Sequence, residues 1–340
     1  MGDVYVIAGP TASGKTELAV ALAARLGGEV VSADSMQVYK GMDIGTAKPT
    51  EDEKKGIPHH LIDVCFPNEP FNAALYKSLA KKAVEDILSR GKVPIITGGT
   101  GFYINALIYD TDFLEFVPNK EKFCNEGLAS GQPLDMESES AFVCDDYEKE
   151  LARLRELFCV EAMERGAAFL HGKLGAADPE YANTIHENNI RRVSNALAFF
   201  HLTSKRFSVH NNEQKQKKLS WGTRFFILDF PRDVLYERIN KRTEKMFDSG
   251  LVAEAEGLVR NGYGGELAPM NGIGYKEAVL HLKGLLDYRE AVNQTAKATR
   301  NYAKRQETWF RNQSPASKRL YSENKSSMEL VEEILTFSTT

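Results

Sequence analysis

The sequence lacks several features that would assign it to a class of protein at once. Its four cysteines form no C-x-x-C pair, and none has a histidine at the spacing of a zinc ligand. This pattern argues against a zinc site or a disulfide framework and predicts reduced cysteines in a cytoplasmic protein. The formal net charge of -4 excludes a global basic field, so any nucleic-acid binding must rely on local basic patches.

Membrane-directed segments are also missing from the sequence. The N-terminus enters an apolar run without a charged n-region, and no apolar run is long enough to span a bilayer. We therefore expect no signal peptide and no membrane association. The chain of 340 residues, 42% of them hydrophobic, is long enough for one large α/β domain with an insertion or a second small domain.

Residues 9–16 fit the phosphate-binding pattern G-x-x-x-x-G-K-[ST] at every fixed position. The residues of this phosphate loop are Gly9, Pro10, Thr11, Ala12, Ser13, Gly14, Lys15 and Thr16. A predicted strand precedes the loop and a predicted helix follows it, which is the context that a phosphate loop requires. Its backbone N–H groups and the Lys15 cation suit a phosphate group, and the Thr16 hydroxyl suits Mg²⁺. The motif predicts binding of a di- or triphosphate but specifies no reaction.

Asp34 follows the predicted second strand, at the edge of an open parallel sheet that faces the ligand crevice. A carboxylate there suits a general base or an outer-sphere Mg²⁺ ligand, although an N-cap is a simpler role. The strand at 93–97 leads into a second glycine loop, residues 98–101, and not into the aspartate with which an ATPase holds Mg²⁺. We therefore expect a polyphosphate site that is poorly equipped to hydrolyse ATP.

Alternating strands and helices predict an α/β fold with a P-loop NTPase-like parallel sheet flanked by helices. The periodicity fades from about residue 110, and residues 117–146 are expected to form an exposed excursion. Amphipathic helices follow, so we predict a mainly helical insertion domain at 111–205. It separates two parts of the P-loop α/β core, residues 1–110 and 206–340, the second of which includes C-terminal helices. Residues 233–260 are predicted to form one long helix or two.

A basic and aromatic stretch occupies residues 288–311. Its cations recur at helical spacing between two aromatic residues, and the set is Lys297, Arg300, Lys304, Arg311, Tyr302 and Trp309. Surfaces that bind RNA combine cations for the backbone with aromatic rings for the bases. An amphipathic helix that packs against the core explains the same pattern equally well, so both interpretations stay open.

Five longer motifs carry a resemblance to a known family. They are GPTASGKTELA (9–19), SADSMQVYKGMDIGTAKP (32–49), PHHLIDV (58–64), GGTGFYINALI (98–108) and ATRNYAKRQETWFR (298–311). In this order, and over most of the chain, they resemble the tRNA dimethylallyltransferase family. The resemblance implies that a dimethylallyl group passes from dimethylallyl diphosphate to the N6 amine of the adenosine 3′-adjacent to the anticodon, in tRNAs that read UNN codons. It also implies that the phosphate loop, with Mg²⁺, holds the diphosphate of this donor.

The resemblance further implies roles for individual residues. Asp34 matches the catalytic aspartate, Thr100 matches a threonine near the reacting centre, and Arg242 matches a basic side chain that stabilises the leaving diphosphate. Two segments match tRNA contacts of the family, and they are Asp34, Ser35, Met36 and Gln37, then Arg191, Arg192, Val193, Ser194 and Asn195. His59 matches a family histidine of less certain role, placed here with the tRNA contacts. For Arg300 and Lys304, tRNA contact rests on the basic and aromatic pattern alone.

The segment before the arginine pair departs from the family pattern. The family usually reads I-H-P-N-D there, whereas this chain has Glu187 and Asn189 at two of those positions, and Asn195 stands where arginine is common. These differences weaken the predicted grip on tRNA in this segment. The zinc finger of eukaryotic members is absent, so the resemblance is to bacterial members. We expect a cytoplasmic monomer whose partners are the anticodon stem-loop of tRNA and dimethylallyl diphosphate.

Three other functions remain open at this point. A P-loop small-molecule kinase would phosphorylate a small acceptor with ATP and need no RNA. A prenyltransferase acting on free AMP, ADP or ATP would use the same donor, although the basic helix and the insertion argue against a mononucleotide acceptor. A non-catalytic tRNA-binding protein would not require Lys15, Thr16 and Asp34 together.

Overall fold

The structure is a computed structural model that describes residues 3–111, 136–215 and 218–338. Most of the excursion predicted at 117–146 lies outside the described residues, and the part from residue 136 begins a helix. The chain divides into two compact units, Met1–Asp110 with Leu219–Thr340 and Thr111–Lys218. No helix of the described ranges is long and apolar enough to cross a membrane.

Six parallel strands form the sheet of the first unit. They are β1 (Asp3–Ala8), β2 (Glu29–Ser32), β3 (His59–His60), β4 (Pro94–Gly98), β5 (Gly222–Asp229) and β6 (Lys318–Tyr321). Their order across the sheet is β3-β2-β4-β1-β5-β6. In the central strand, Ala8 pairs with Gly98 on one side and with Ile227 on the other. The carboxyl ends of three strands therefore meet where the phosphate loop begins, and the predicted α/β parallel sheet is confirmed.

Fourteen α-helices occupy the described ranges. They are α1 (Lys15–Leu26), α2 (Glu51–Lys54), α3 (Ala73–Ser89), α4 (Gly101–Ile108), α5 (Met136–Arg165), α6 (Ala167–Ala177), α7 (Pro179–Ala182), α8 (Ile190–Thr203), α9 (Phe207–Lys215), α10 (Arg232–Asp248), α11 (Leu251–Arg260), α12 (Tyr275–Leu282), α13 (Tyr288–Gln313) and α14 (Ser327–Ser338). The stretch predicted as one or two helices is two, because Gly250 adopts a left-handed conformation with φ of 101° between them.

Both faces of the sheet are covered, as an all-parallel sheet requires. One apolar cluster joins the sheet to α3, α4 and α13 through Tyr76, Ile104 and Phe310. The other joins it to α1, α10 and α14, with Leu18 and Val331 fully buried. A third cluster packs the segment around residues 36–44 against α10, α11 and α12. These three clusters hold the elements that surround the carboxyl edge of the sheet.

All regular secondary structure in the described part of the second unit is helical. Leu170, Leu174 and Val193 form the centre of its core. Its boundary differs from the predicted one, which ended the insertion at residue 205. The ring of Phe207 lies 5.1 Å from that of Phe199, and the Ser208 N–H donates to Asp178 at 2.7 Å. These contacts hold α9 within the second unit, so the chain returns to the first unit only at residue 219.

Candidate active site

The phosphate loop connects β1 to α1 in a tight curl. Ala12 and Gly14 both have left-handed backbone conformations, with φ of 64° and 80°. The Lys15 side chain folds back over the loop, and its ammonium donates to the Pro10 carbonyl at 3.2 Å. The loop therefore gathers a cation, backbone N–H groups and the positive end of α1 around one small volume, which is suited to a phosphate group.

A cleft of about 390 Å³ opens beside this loop at the carboxyl edge of the sheet. Ten of the residues predicted for the site line it, and they are Thr11, Ala12, Lys15, Thr16, Asp34, Ser35, Met36, Gln37, His59 and Arg242. The phosphate loop, the segment after β2 and the middle of α10 are far apart in sequence. The fold brings them together because β1 and β2 end at the same edge and α10 packs over it.

Lys15 and Arg242 are the half-buried cations of the cleft, which the exposed Arg305 also lines. Burial, together with the positive charge of Arg242, lowers the pKa of Lys15 to about 8, and Asp34 opposes this shift only in part. Burial likewise lowers the pKa of Arg242, against the attraction of Asp34 and Glu53. Two partly desolvated cations that disfavour one another form a site that an anion would stabilise.

Other basic residues of α10 do not share this position. Lys241 is exposed and forms an ion pair with Glu237 one turn earlier in the helix, at 2.6 Å. The Arg238 guanidinium lies over the ring of Phe230, 4.5 Å from its centroid. Among these three neighbouring cations of α10, only Arg242 lines the cleft.

Asp34 is half-buried and lines the cleft. Its Oδ1 accepts hydrogen bonds from the N–H groups of Met36 at 2.9 Å and Gln37 at 3.4 Å. Asp34 therefore caps the turn that follows it, as considered from the sequence. This capping uses only one of its two carboxylate oxygens. Oδ2 makes no hydrogen bond to any residue that the structure describes, so it is available to a ligand in the cleft.

Thr100 lies next to the Asp34 segment and not in the cleft wall. Its hydroxyl accepts the N–H of Ser35 at 3.1 Å and contacts the Ser35 hydroxyl at 3.3 Å. Gln37 also fixes this segment, because its amide donates to the Ala47 carbonyl at 3.2 Å. Thr100 and Gln37 therefore hold the backbone that follows Asp34, and this backbone supplies the N–H groups that fix the direction of the Asp34 carboxylate.

The second glycine loop, residues 98–101, permits very close approaches. A Cβ at Gly98 would lie 2.1 Å from the Ala33 carbonyl oxygen, and one at Gly101 would lie 2.1 Å from the ring of Trp309. Side chains at these positions are excluded by sterics. The glycines therefore let the end of β4 lie against both the Asp34 segment and α13.

His59 lines the same cleft from β3. Its Nδ1 donates to the Ile57 carbonyl at 2.8 Å, which leaves the lone pair on Nε2. Burial lowers the pKa of His59, so the ring is neutral near pH 7, and its buried Nε2 has no partner within the described chain. The ring therefore presents an acceptor at the cleft wall.

Helix α13 contributes cleft residues that the sequence did not single out in that role. Tyr302, Arg305 and Gln306 all line the cleft, and Tyr302 had been interpreted only as a base-stacking ring. Burial and the nearby Asp34 raise the pKa of Tyr302 to about 12, so its hydroxyl stays protonated. The signal in the sequence was weak: a glutamine between the buried Ala303 and Phe310, on the apolar face of an amphipathic helix.

The two residues of α13 predicted to contact tRNA differ in their surroundings. Lys304 is exposed. Arg300 is half-buried, and its guanidinium donates to the Asn240 side chain on α10. Of the two interpretations of this helix, core packing holds for its buried face, whereas the exposed face of Lys304 remains suited to RNA.

The predicted tRNA-contact segment of the second unit forms the start of α8. Arg191 and Arg192 are exposed and Asn195 is half-buried, whereas Val193 and Ser194 are at most 1% exposed. Only Arg191, Arg192 and Asn195 of this segment therefore have side chains that a ligand could reach. Asn189, one of the departures from the family pattern, is the N-cap of α8, and its side chain accepts the Arg192 N–H at 3.4 Å. Asn and Asp are about equally good N-caps, so this departure keeps the helix start.

Thr16 is the residue of the cleft that suits Mg²⁺. Within the described residues, no group of three or more histidine, cysteine or acidic side chains could hold a metal ion. Mg²⁺ is commonly bound by one or two protein oxygens, with water and phosphate oxygens completing its shell. A single hydroxyl at the start of α1, beside an anion site, fits a Mg²⁺ ion that binds together with a diphosphate.

Comparisons with known proteins agree with this geometry. A family model described as IPP transferase matches residues 37–313. The tRNA dimethylallyltransferase of Acetivibrio thermocellus is 44% identical over 311 residues, which cover 92% of this chain and 89% of that protein. The protein of the same name from Bacillus subtilis is 43% identical, with 91% and 88% covered.

Solved structures show the same likeness. A tRNA isopentenylpyrophosphate transferase from Staphylococcus epidermidis is 37% identical, with 100% of this chain and 99% of that chain covered and a TM-score of 0.66. A eukaryotic dimethylallyltransferase acting on tRNA is 26% identical, with 100% and 80% covered and a TM-score of 0.76. The family match begins at residue 37, after the phosphate loop, whereas both solved structures cover the whole of this chain.

Proposed function

The chain belongs to the IPP transferase family of enzymes, and we propose that it transfers a dimethylallyl group from dimethylallyl diphosphate to tRNA. The acceptor is the N6 amine of the adenosine 3′-adjacent to the anticodon in tRNAs that read UNN codons, and diphosphate is released. In this proposal the enzyme acts as a cytoplasmic monomer.

One observation carries the proposal: a single cleft combines an anion site with an available carboxylate oxygen. Lys15, Arg242 and the phosphate loop form the anion site, and Asp34 lines the same cleft. A prenyl diphosphate needs cations at its leaving group, and an attacking amine needs an acceptor for its proton. The cleft supplies both.

The reaction can be written from these groups. The N6 amine attacks C1 of the donor, the N–C1 bond forms, and the C1–O bond breaks with its electron pair leaving on diphosphate. Lys15, Arg242 and the loop N–H groups stabilise the growing negative charge. Oδ2 of Asp34 takes the proton that the amine loses. Thr16 would hold Mg²⁺, which supplies further positive charge to the diphosphate when bound.

Hydrogen bonds at and next to the Asp34 carboxylate support its catalytic role. Oδ1 is already held by two backbone N–H groups, so the carboxylate cannot rotate freely. Thr100 fixes the neighbouring Ser35 and thereby acts near the reacting centre without lining the cleft. A base fixed in this way loses little orientational freedom as the amine approaches, which favours transfer.

The acceptor adenine must leave the stack of the anticodon loop to reach this carboxylate. Ser35, Met36 and His59 line the cleft where a base would enter, and the neutral ring of His59 offers an acceptor there. The exposed Arg191, Arg192 and Lys304 are the proposed contacts to the RNA backbone.

The test is one assay with purified protein, Mg²⁺ and labelled dimethylallyl diphosphate. The acceptors are unmodified tRNA, the same tRNA with guanosine in place of the target adenosine, and AMP. We expect label only in the first. Label in AMP would overturn the RNA acceptor and favour a nucleotide prenyltransferase. Label in the guanosine tRNA would overturn the N6 assignment. No transfer, with ATP-dependent phosphorylation of a small acceptor instead, would favour a kinase.

A further inference from the structure

Gln306 of α13 hydrogen-bonds to both loops that form the floor of the cleft. Its Oε1 accepts the backbone N–H of Thr11 in the phosphate loop at 2.9 Å. Its Nε2 donates to the backbone carbonyl of Gly99 in the second glycine loop at 2.9 Å. The side chain is 6% exposed, so water cannot replace either hydrogen bond easily.

The chemistry of the two partners fixes the orientation of this amide. A backbone N–H can only donate and a backbone carbonyl can only accept, so Oε1 must face Thr11 and Nε2 must face Gly99. A side-chain amide provides a donor and an acceptor at this fixed separation, and a protonated carboxylic acid of the same length would do so too. An ionised carboxylate lacks the donor, and an apolar side chain of the same size lacks both.

The surroundings of Gln306 are shaped to this contact. A Cβ at Gly99 would lie 2.3 Å from Nε2, so the glycine is required for the approach. The hydroxyl of Tyr302, one turn earlier on α13, interacts with both Gln306 and Thr100. Thr100 in turn holds Ser35, next to Asp34. One connected set of contacts therefore links the phosphate loop to the backbone beside Asp34.

We propose that Gln306 is a positioning residue that sets the distance between the diphosphate end of the cleft and the Asp34 end. This inference rests on the proposed function, because it assigns a use to both ends. Transfer requires the reacting atoms to be held within a narrow range of separation, and an error of about 1 Å can reduce the rate by about 100-fold. Gln306 touches neither substrate in this account and acts through the two backbones.

The test compares Gln306→Glu with Gln306→Met across pH 6 to pH 8.5. Protonated glutamic acid reproduces the amide, since its O–H can donate to Gly99 while its carbonyl accepts from Thr11. Ionised glutamate opposes the Gly99 carbonyl, and burial favours the protonated form. We expect Gln306→Glu to have about 10-fold lower transfer activity than wild type at high pH and to approach wild type at low pH. The transfer activity of Gln306→Met relative to wild type should be equally low at every pH.

Gln294→Glu, an exposed site on the same helix, is the matched control and should keep wild-type transfer. A second readout is the affinity for inorganic diphosphate with Mg²⁺, which should fall about 10-fold in Gln306→Met while the affinity for tRNA stays unchanged. A purely structural role would instead reduce stability and leave the kinetic constants of the folded fraction and the pH profile unaltered.

The outcomes separate the two proposals. Suppose that the wild type transfers the dimethylallyl group. The positioning role alone would then be overturned if the activity of Gln306→Glu relative to wild type did not change with pH. It would also be overturned if Gln306→Met bound diphosphate as tightly as wild type. Absence of transfer by wild type would overturn the proposed function. The diphosphate titration would then decide by itself whether Gln306 shapes the phosphate loop.

Discussion

At the scale of single residues, the titration of Lys15 makes the charge of the cleft depend on pH. Since the pKa of Lys15 is lowered to about 8, the ammonium is charged below pH 8 and is progressively lost above it. A bound diphosphate would favour the charged form and raise this pKa again. The free protein therefore loses one of its two half-buried cleft cations over a range in which arginine keeps its charge.

We predict that diphosphate binds more weakly to the wild type as the pH rises through 8, whereas Lys15→Arg shows no such loss. Arginine stays protonated throughout, so this variant also corrects for the titration of the ligand itself. Calorimetric titration with inorganic diphosphate and Mg²⁺ between pH 7 and pH 9.5 would measure the effect. If the affinities of the two proteins fell in parallel as the pH rose, the lowered pKa of Lys15 would be contradicted.

Asp34 carries a second prediction at this scale. Asp34→Asn keeps the size and one acceptor oxygen but cannot take a proton, so transfer should fall by about 100-fold or more. The tRNA affinity should change little. Single-turnover transfer and filter binding of tRNA would separate the two quantities, and Asp52→Asn, an exposed aspartate of α2, is the control. Loss of tRNA affinity with a preserved rate would contradict the base role.

The sequence predicted the cleft residues that belong to continuous motifs, and it did not reveal Gln306. The phosphate loop and Asp34 each follow a strand whose end marks the ligand edge, so their placement follows from the topology. Gln306 acquires its role from two backbone groups 295 and 207 residues away, and no local pattern records such partners. Val193 and Ser194 are the opposite kind of error. The linear motif includes them among the tRNA contacts, but the periodicity of the helix buries their side chains.

At the scale of elements, Glu254 of α11 fixes the loop that follows the Asp34 segment. Its carboxylate accepts the backbone N–H groups of Asp43, Ile44 and Gly45, and also the hydroxyl of Tyr275. One side chain thus joins a cleft loop to two helices. Strong local motifs such as this loop were evident in the sequence, but its anchor in a distant helix was not.

We predict that Glu254→Gln lowers the free energy of unfolding by about 2 kcal/mol, because the new NH₂ group would face N–H donors in either orientation. Glu256→Gln, two residues along the same helix, removes only a partly exposed ion pair with Arg260 and should cost less than about 0.5 kcal/mol. Urea denaturation would measure both. Equal effects of the two variants would contradict the anchoring role.

Gly98 provides a prediction about how two strand ends meet. Gly98→Ala would place a Cβ 2.1 Å from the Ala33 carbonyl oxygen, and neither backbone can move without disturbing the sheet. We expect destabilisation of about 3 kcal/mol. Gly257→Ala in α11 meets no atom within 4 Å and should be neutral or stabilising by up to about 1 kcal/mol. Thermal denaturation of the pair is the measurement, and similar shifts for both would refute the steric argument.

Several elements followed from sequence periodicity and others did not. The long helices and the buried strands β1 and β4 have runs that distinguish them clearly. The strand β6 was not predicted, because a four-residue edge strand carries almost no periodic signal. The end of the insertion was also misplaced, since only the tertiary contacts of Phe207 and Ser208 reveal to which unit α9 belongs.

For the whole molecule, the net charge of -4 means that tRNA must be attracted by local cations. Arg191 and Arg192 are exposed in the second unit, and Lys304 is exposed in the first. If a polyanion binds to both groups of cations, each group should contribute to the decrease of its affinity with salt.

We predict that Arg191→Ala with Arg192→Ala weakens tRNA binding and reduces the slope of log K against log salt by about 2. Lys304→Ala should reduce it by about 1. Arg153→Ala is the control in the second unit, because Glu150 already pairs with that arginine at 2.6 Å. Binding measured over a salt series gives the slopes, and unchanged slopes would show that these residues lie outside the RNA footprint.

The hydrogen bond between Thr11 and Gln306 also bears on how the protein is made. Gln306 follows Thr11 by 295 residues, so all of the second unit is synthesised between the two partners. A nascent chain that has not yet reached α13 therefore lacks the contact that joins the phosphate loop to the second glycine loop, and the cleft is completed only after α13 has been made.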